Sequence, residues 1–168
     1  PPVKPTYLYM QLSDDIRAVL NRDPSARNFW EVLTCYPGVH AVALYRLAHW
    51  LWGQRLRWLA RIVSYVGRLL TGIDIHPAAY IGQRLFINNG LGVVIGETSE
   101  IGDDVTIFSG VTLGEATEMR GRRHPVLRDG VILETGAKIM GPVVIGERSC
   151  IGANAVVTQS VLADSVIG

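Results

Sequence analysis

The sequence is poor in the groups that most readily mark a compartment or a metal. Two cysteines, Cys35 and Cys150, lie far apart and form no CxxC pair. That excludes a disulfide framework and points to reduced thiols in a cytoplasmic protein. No apolar run reaches about 18 residues, so no membrane span is expected. The first ten residues, PPVKPTYLYM, lack the apolar core of a secretory signal. P-loop, GxGxxG and GxSxG patterns are missing, as is a basic-aromatic nucleic-acid patch. Charge of one sign is not in excess, with 16 Lys/Arg against 15 Asp/Glu and a formal net charge of +1. The balance is uneven, however: nine against four over residues 1–71, and seven against eleven over residues 72–168. This split suits attraction between subunits, an anion facing the basic part, or plain solvated surface.

What is present is a six-residue period. Aliphatic residues recur at Ile75, Ile81 and Ile87, then after a two-residue slip at Ile95, Ile101, Ile107 and Leu113, and again at Leu133, Ile139, Ile145, Ile151 and Val157. Gly often follows, as at Gly82, Gly96, Gly102, Gly114, Gly146 and Gly152. A small or branched residue sits four positions on, at Ala79, Val105, Val111, Ala137, Val143 and Ala155. This period fits neither a 3.6-residue helix nor a hairpin; it is that of a parallel β-helix of hexapeptides, running here from Ile75 to Leu162. Each hexapeptide forms one flat face of a prism and gains its stability by stacking on the next coil. Two domains are expected, an α-helical one over residues 1–71 and the prism over residues 72–168.

Within the first domain, residues 1–6 read as a flexible lead-in. Ser13 reads as an N-cap with Asp14 and Asp15 in the first turn of a helix through Leu20, and a second helix spans Ser25 to Thr34. Pro37 opens a third, ended by Gly53, with Val39, Val42, Ala43, Leu47, Trp50 and Leu51 on its apolar face. The fourth, from about Leu56 to Leu70, sets Arg55, Arg57, Arg61 and Arg68 against Leu59, Ile62, Val63, Val66 and Leu69. Such a helix packs between subunits or lies on a membrane surface, and packing is favoured because it leads straight into the first coil. Trp30, Trp50, Trp52 and Trp58 read as core and interface. Between Leu113 and Leu133 the count runs to twenty residues, two more than three hexapeptides, through a polar stretch holding Arg122, Arg123 and His124. Loops that leave a rigid scaffold commonly carry function.

Five motifs then make the chain recognisable: Asp74-Ile75-His76-Pro77, Val94-Ile95-Gly96-Glu97-Thr98, Gly110-Val111-Thr112-Leu113-Gly114, Arg123-His124-Pro125 and Gly136-Ala137-Lys138-Ile139. With Arg22-Asp23-Pro24 and Leu47-Ala48-His49-Trp50-Leu51-Trp52, they resemble the serine O-acetyltransferase family over residues 13–168. The resemblance implies a left-handed parallel β-helix assembled as a homotrimer or dimer of trimers. It implies acetyl-CoA or another acyl thioester as co-substrate, with no bound cofactor, and L-serine or a related amino acid as acceptor at a subunit interface. It places O-acetylserine, the product, in cysteine biosynthesis. Family members also dock O-acetylserine sulfhydrylase through a C-terminal tail; the sequence to Gly168 shows no such tail, so either the tail lies outside it or the complex is not made.

By position, the resemblance makes Asp74 the residue that orients the catalytic base, Asp23 a contact for the substrate amine, Arg123 the holder of its carboxylate and His124 a lining residue. It assigns the co-substrate to Gly114, Thr135 and Ala153. The family carries Asp then His where this chain has Asn88 and Asn89. An amide cannot exchange a proton in the useful pH range, so Asn89 can hydrogen-bond a substrate but cannot act as base. His124 is then either a substitute base or a residue that orders the loop. Glu115 and Glu134 stand where the family has glycine. A carboxylate there either repels a polyanionic co-substrate or points to solvent. His76 reads as structural, His40 and His49 belong to the helical part, and no metal site is expected because the prism holds only His76 and His124. A diverged enzyme with another donor or reaction, or a non-catalytic binding protein, remains the alternative to acyl transfer.

Overall fold

The computed structural model describes residues 5–118 and 120–168, with side chains from Leu8 onward. Four helices come first: α1 (Pro5–Arg22), α2 (Phe29–Cys35), α3 (Pro37–Gly53) and α4 (Arg57–Thr71). The first is longer than expected. Leu12, Ile16 and Val19 fall at helical spacing and pack inward, with half-buried Leu8 one turn before them, so the apolar stripe carries the helix through Ser13, which caps nothing. Pro5 and Thr6 thus open α1, and the rest of the expected lead-in lies outside the described residues. Helix α2 begins later than expected, because the Asn28 side chain caps it by accepting the Glu31 N–H at 2.9 Å. The Glu31 carboxylate reaches back to the Arg27 N–H at 3.0 Å, closing a reciprocal cap. Helix α3 runs over its expected span from Pro37 to Gly53, and α4 ends at a left-handed Gly72.

Beyond Thr71 the chain winds into three parallel sheets, the faces of a left-handed β-helix. The first face stacks β1 (Asp74–Ile75), β4 (Val94–Ile95), β7 (Thr112–Gly114), β10 (Lys138–Met140) and β13 (Val156–Val157). The second holds β2 (Tyr80–Ile81), β5 (Glu100–Ile101), β8 (Val126–Leu127) and β11 (Val144–Ile145). The third holds β3 (Phe86–Ile87), β6 (Thr106–Ile107), β9 (Ile132–Leu133), β12 (Cys150–Ile151) and β14 (Val166–Ile167). In each strand one aliphatic residue points to the axis. Ile95, Ile101, Ile107, Leu113, Leu133, Ile139, Ile145 and Ile151 are at most 1% exposed, each worth about 1.5–3 kcal/mol relative to exposure. Ala79, Val105, Val111, Ala137 and Val143 fill the corners between them.

Register shows where the period breaks. Partners on the first face, Asp74, Val94, Thr112, Lys138 and Val156, are 20, 18, 26 and 18 residues apart. One coil is therefore three hexapeptides. The first coil holds two extra residues, the slip after Ile87, and the third holds eight. The break expected between Leu113 and Leu133 is present, and Leu127, 1% exposed, is a rung position within it, so two hexapeptide steps and an eight-residue excursion fill the interval. At the far end Val161 bridges Ile145 and packs against the core, whereas Leu162 is 84% exposed.

The helices are joined tightly to the first coil. Ala41, Val42 and Tyr45 of α3 share one apolar cluster with the prism. The Tyr45 hydroxyl donates to the Ala79 carbonyl, and Ser64 donates to the Ile75 carbonyl at 2.6 Å. Asp15 and Arg46, both buried, form a bidentate pair at 2.9 and 3.1 Å. Arg46 also donates to the Gly82 carbonyl at 2.9 Å. A buried charge needs such a partner, and burial, the strongest influence on Asp15, pushes its carboxyl up against the pull of Arg46. The buried side of α3 is thus Gly38, Val39, Ala41, Val42, Tyr45, Arg46 and Ala48, and Leu47 is exposed instead. Helix α4 turns Ala60, Gly67 and Thr71 inward, leaving Trp58, Leu59, Ile62, Tyr65, Val66 and Leu69 exposed as one stripe. Trp30 and Trp58, 71% and 75% exposed, are not core within one chain.

Candidate active site

Two edges of the prism carry the candidate residues. The return edge, from the third face back to the first, comprises residues 88–93, 108–111, 134–137 and 152–155. Its turns are left-handed and stack in a column: the Gly110 N–H donates to the Leu91 carbonyl, Gly136 to Ser109 and Asn154 to Thr135. At Gly136, φ is +76° and an added Cβ would meet Asn154 Oδ1 at 2.1 Å, so glycine is required. Asn89 itself sits at φ +62°, a conformation that Asn, Asp and His tolerate best among side-chain-bearing residues.

Asn88 and Asn89 open this edge, and among the described residues neither side chain makes a hydrogen bond. Asp74 is tied to the same turn from below. Its N–H donates to the Val93 carbonyl at 2.9 Å, and the Gly92 N–H donates to the Gly72 carbonyl at 2.9 Å. The Asp74 carboxylate, however, faces Arg68 of α4 at 3.6 Å. Thr135 and Ala153 are exposed farther along the edge. Gly114 is not with them; it ends β7 on the far side of the first face, where an added Cβ would meet Met140 Sδ at 3.0 Å. Asp23 stands off the prism, between α1 and α2, accepting from the Ser25 N–H and the Tyr36 hydroxyl, each at 2.8 Å. Burial pushes its carboxyl up, but these hydrogen bonds outweigh that and hold it below the usual range. Burial and Asp23 together push the Tyr36 phenol up to about 12.

The loop edge, from the first face to the second, carries the eight-residue excursion and a connected polar network. Thr98 is its centre, a residue that stands in one of the recognised motifs but to which the sequence alone gives no role. Its Oγ1 accepts the Arg123 and His124 N–H groups, both at 3.0 Å. With both lone pairs used, its hydroxyl proton points to His124 Nδ1 at 2.9 Å, and the Thr98 N–H also donates to Nδ1 at 3.3 Å. His124 is therefore neutral with its proton on Nε2. In this arrangement it offers a donor, with no lone pair free to take a proton. His124 is 6% exposed, and burial, then Arg123, lowers its pKa from the ordinary 6.5. An added Cβ at Gly96 would lie 2.0 Å from Nε2, so the ring seats on a bare backbone.

Arg123 donates from Nη2 to Glu97 at 2.5 Å and from Nε to Glu115 at 2.6 Å. Its hydrogen bond holds the Glu97 carboxyl below the usual range. Glu115 is thus turned onto Arg123, while Glu134 is exposed on the return edge. His76 lies near this edge with its Nδ1 accepting the Ala78 N–H at 3.1 Å. Burial, then Arg61, lowers its pKa. A 190 Å³ cavity along the first face is lined by Asp74, His76, Gly96, Glu97, Arg61 and Arg68 among others. The structure thus brings Asp74 near Asn88 and Asn89, and Arg123 to His124, but puts the two groups on different edges. Among the described residues no group of three His, Cys, Asp or Glu is placed to hold a metal ion, and no described helix is long and apolar enough to cross a membrane.

The stacked hexapeptide coils and the loop network define the class, and residues 124–159 match the family model described as bacterial transferase hexapeptide (six repeats). The serine acetyltransferase of Mycobacterium tuberculosis is 57% identical over 153 residues, covering 91% of this chain and 67% of that protein. That of Helicobacter pylori is 54% identical over 148 residues, covering 88% and 86%. This chain belongs to the serine acetyltransferase family, whose members are acyltransferases. Among solved structures, Neisseria gonorrhoeae serine acetyltransferase in complex with serine superposes with a TM-score of 0.92 at 34% identity, over 96% of this chain and 66% of that one. Serine acetyltransferase in complex with Coenzyme A from Brucella abortus gives 0.94 at 39%, over 98% and 66%. The chain therefore spans about two thirds of each of these solved chains.

Proposed function

We propose that this chain transfers an acetyl group from acetyl-CoA to the hydroxyl of L-serine or a related amino-acid acceptor, the step that supplies O-acetylserine for cysteine biosynthesis in the cytoplasm. The acceptor oxygen attacks the thioester carbonyl, the C–S bond breaks, and the hydroxyl proton ends on the coenzyme sulfur. The observation that carries this reading is the likeness to serine acetyltransferases, 57% identical over 91% of this chain in the Mycobacterium tuberculosis protein. Arg123 holds the acceptor carboxyl group, His124 donates to it from Nε2, Asp23 meets the amine, and Asn88 and Asn89 hydrogen-bond the acceptor. Gly114, Thr135 and Ala153 line the path of the acyl thioester. With an amide at Asn89, the attack has no titrating side chain to take the proton there, which forgoes a factor of about 10²–10⁴.

The assembly we propose is a homotrimer, or a pair of trimers, in which the return edge of one copy meets the loop edge of the next. This joins the two groups that one chain holds apart, and the outward apolar stripe of α4 supplies further contact. A monomer at micromolar concentration in light scattering would contradict it. The activity is tested by thiol release from acetyl-CoA with and without acceptor, the product being checked by mass. Acceptor-dependent release supports the reading, and none with any serine-like acceptor overturns it. The second reading, a diverged member with another acyl donor or reaction, is favoured by the Glu115 contact on Arg123.

A further inference from the structure

Arg123 is the one guanidinium in the loop network, and its strongest donors are already spent. The Nε and Nη2 donors, the fork that grips a carboxylate in a bidentate pair, go to two different residues, Glu115 at 2.6 Å and Glu97 at 2.5 Å. Nη1 donates to the Gly121 carbonyl at 3.3 Å. One positive charge is therefore matched by two negative ones, and an incoming carboxylate must displace a resident one to gain the fork. What remains on offer is a set of uncommitted N–H donors on Arg123 together with the Nε2–H of His124, which suits a neutral carbonyl oxygen. The two carboxylates differ in standing. Glu97 lies in a coil turn beside Thr98, whereas Glu115 begins the excursion and is more exposed, 44% against 38%.

We propose that Glu115 acts as an internal occupant of the acceptor clamp, and that this chain prefers serine-like acceptors whose carboxyl group is masked as an amide, ester or thioester. The inference rests on the reading of Arg123 as the acceptor clamp. Glu115 is then a specificity determinant, since its removal frees Nε and halves the resident negative charge.

The test is calorimetric titration of L-serine and L-serinamide into the protein, Glu115→Ala and Glu115→Gln. Both substitutions fall on an exposed loop position and leave the rungs intact. The unaltered protein is expected to bind L-serinamide about tenfold more tightly than L-serine. Both variants are expected to tighten L-serine about tenfold and to leave L-serinamide within about threefold. A preference for L-serine in the unaltered protein, or an unchanged ratio in both variants, overturns the inference while the clamp reading stands. Failure of both ligands to bind any of the three proteins overturns the clamp reading and the inference together. Binding without acetyl transfer to either acceptor overturns the proposed activity alone.

Discussion

The return edge and the loop edge flank the same face of the prism, yet they solve opposite problems. On the return edge the backbone decides. Gly92, Gly110, Gly136 and Asn154 stack in one left-handed column, and side chains beside them are free of the scaffold. On the loop edge side chains decide. Thr98, His124, Arg123, Glu97 and Glu115 fix one another through hydrogen bonds while the chain detours by eight residues. The lesson is that an edge built on backbone geometry can exchange its outward residues, as at Asn88 and Asn89, without loss of fold. An edge built on a polar network cannot.

That contrast is sharpest at Asn89. The double substitution Asn88→Asp with Asn89→His restores a titrating group at a φ that His tolerates, and should raise serine-dependent acetyl transfer by about 10²–10⁴-fold in the thiol-release assay. The axis beneath both edges should respond next: Ile107→Ala, at a fully buried position, should cost about 2–5 kcal/mol in denaturant unfolding. Thr98→Val tests the loop edge directly. It strands the Arg123 and His124 N–H groups and should cost about 1–3 kcal/mol, with loss of the Nε2–H tautomer signature in nitrogen NMR. The smallest effect is on pH dependence. His76 and His124 hold pKa values below 6.5 in the folded chain. The unfolded chain therefore binds protons first as the pH drops, and stability should decline from about pH 6.5 downward. His124→Gln should flatten that decline, as read from melting curves between pH 8 and 5.

The prism was legible because every rung repeats the same demand, an aliphatic residue at the axis and a small one at the corner. Its exceptions were not. Leu127 follows a polar stretch that hides its register, and Val161 takes the axial place where the period counted on from Val157 points to Ala163. Ser13-Asp14-Asp15 imitates a helix start, but Asp15 is spent instead on buried Arg46, a partner 31 residues away that local pattern cannot reveal. The break in the repeat drew attention to Arg123 and His124, and the resemblance gave them their roles. The Thr98 hydroxyl that sets the His124 tautomer and the turn of Glu115 onto Arg123 depend on the path of the excursion, which no spacing rule encodes. For the same reason the separation of Asn88 and Asn89 from Arg123 and His124 emerges only once faces and edges are assigned.

In the proposed trimer neighbouring copies complete each other's site, one giving the return edge and the next the loop edge. Subunit mixing tests it most directly. A chain carrying Asn88→Asp, Asn89→His and Arg123→Ala has the base but lacks the clamp; the unaltered chain has the clamp but lacks the base. Refolded together they should transfer acetyl groups to acceptor well above the sum of the two proteins assayed apart, because mixed copies of the proposed trimer pair an intact edge with an intact edge. Activity of the mixture equal to that sum would contradict the account.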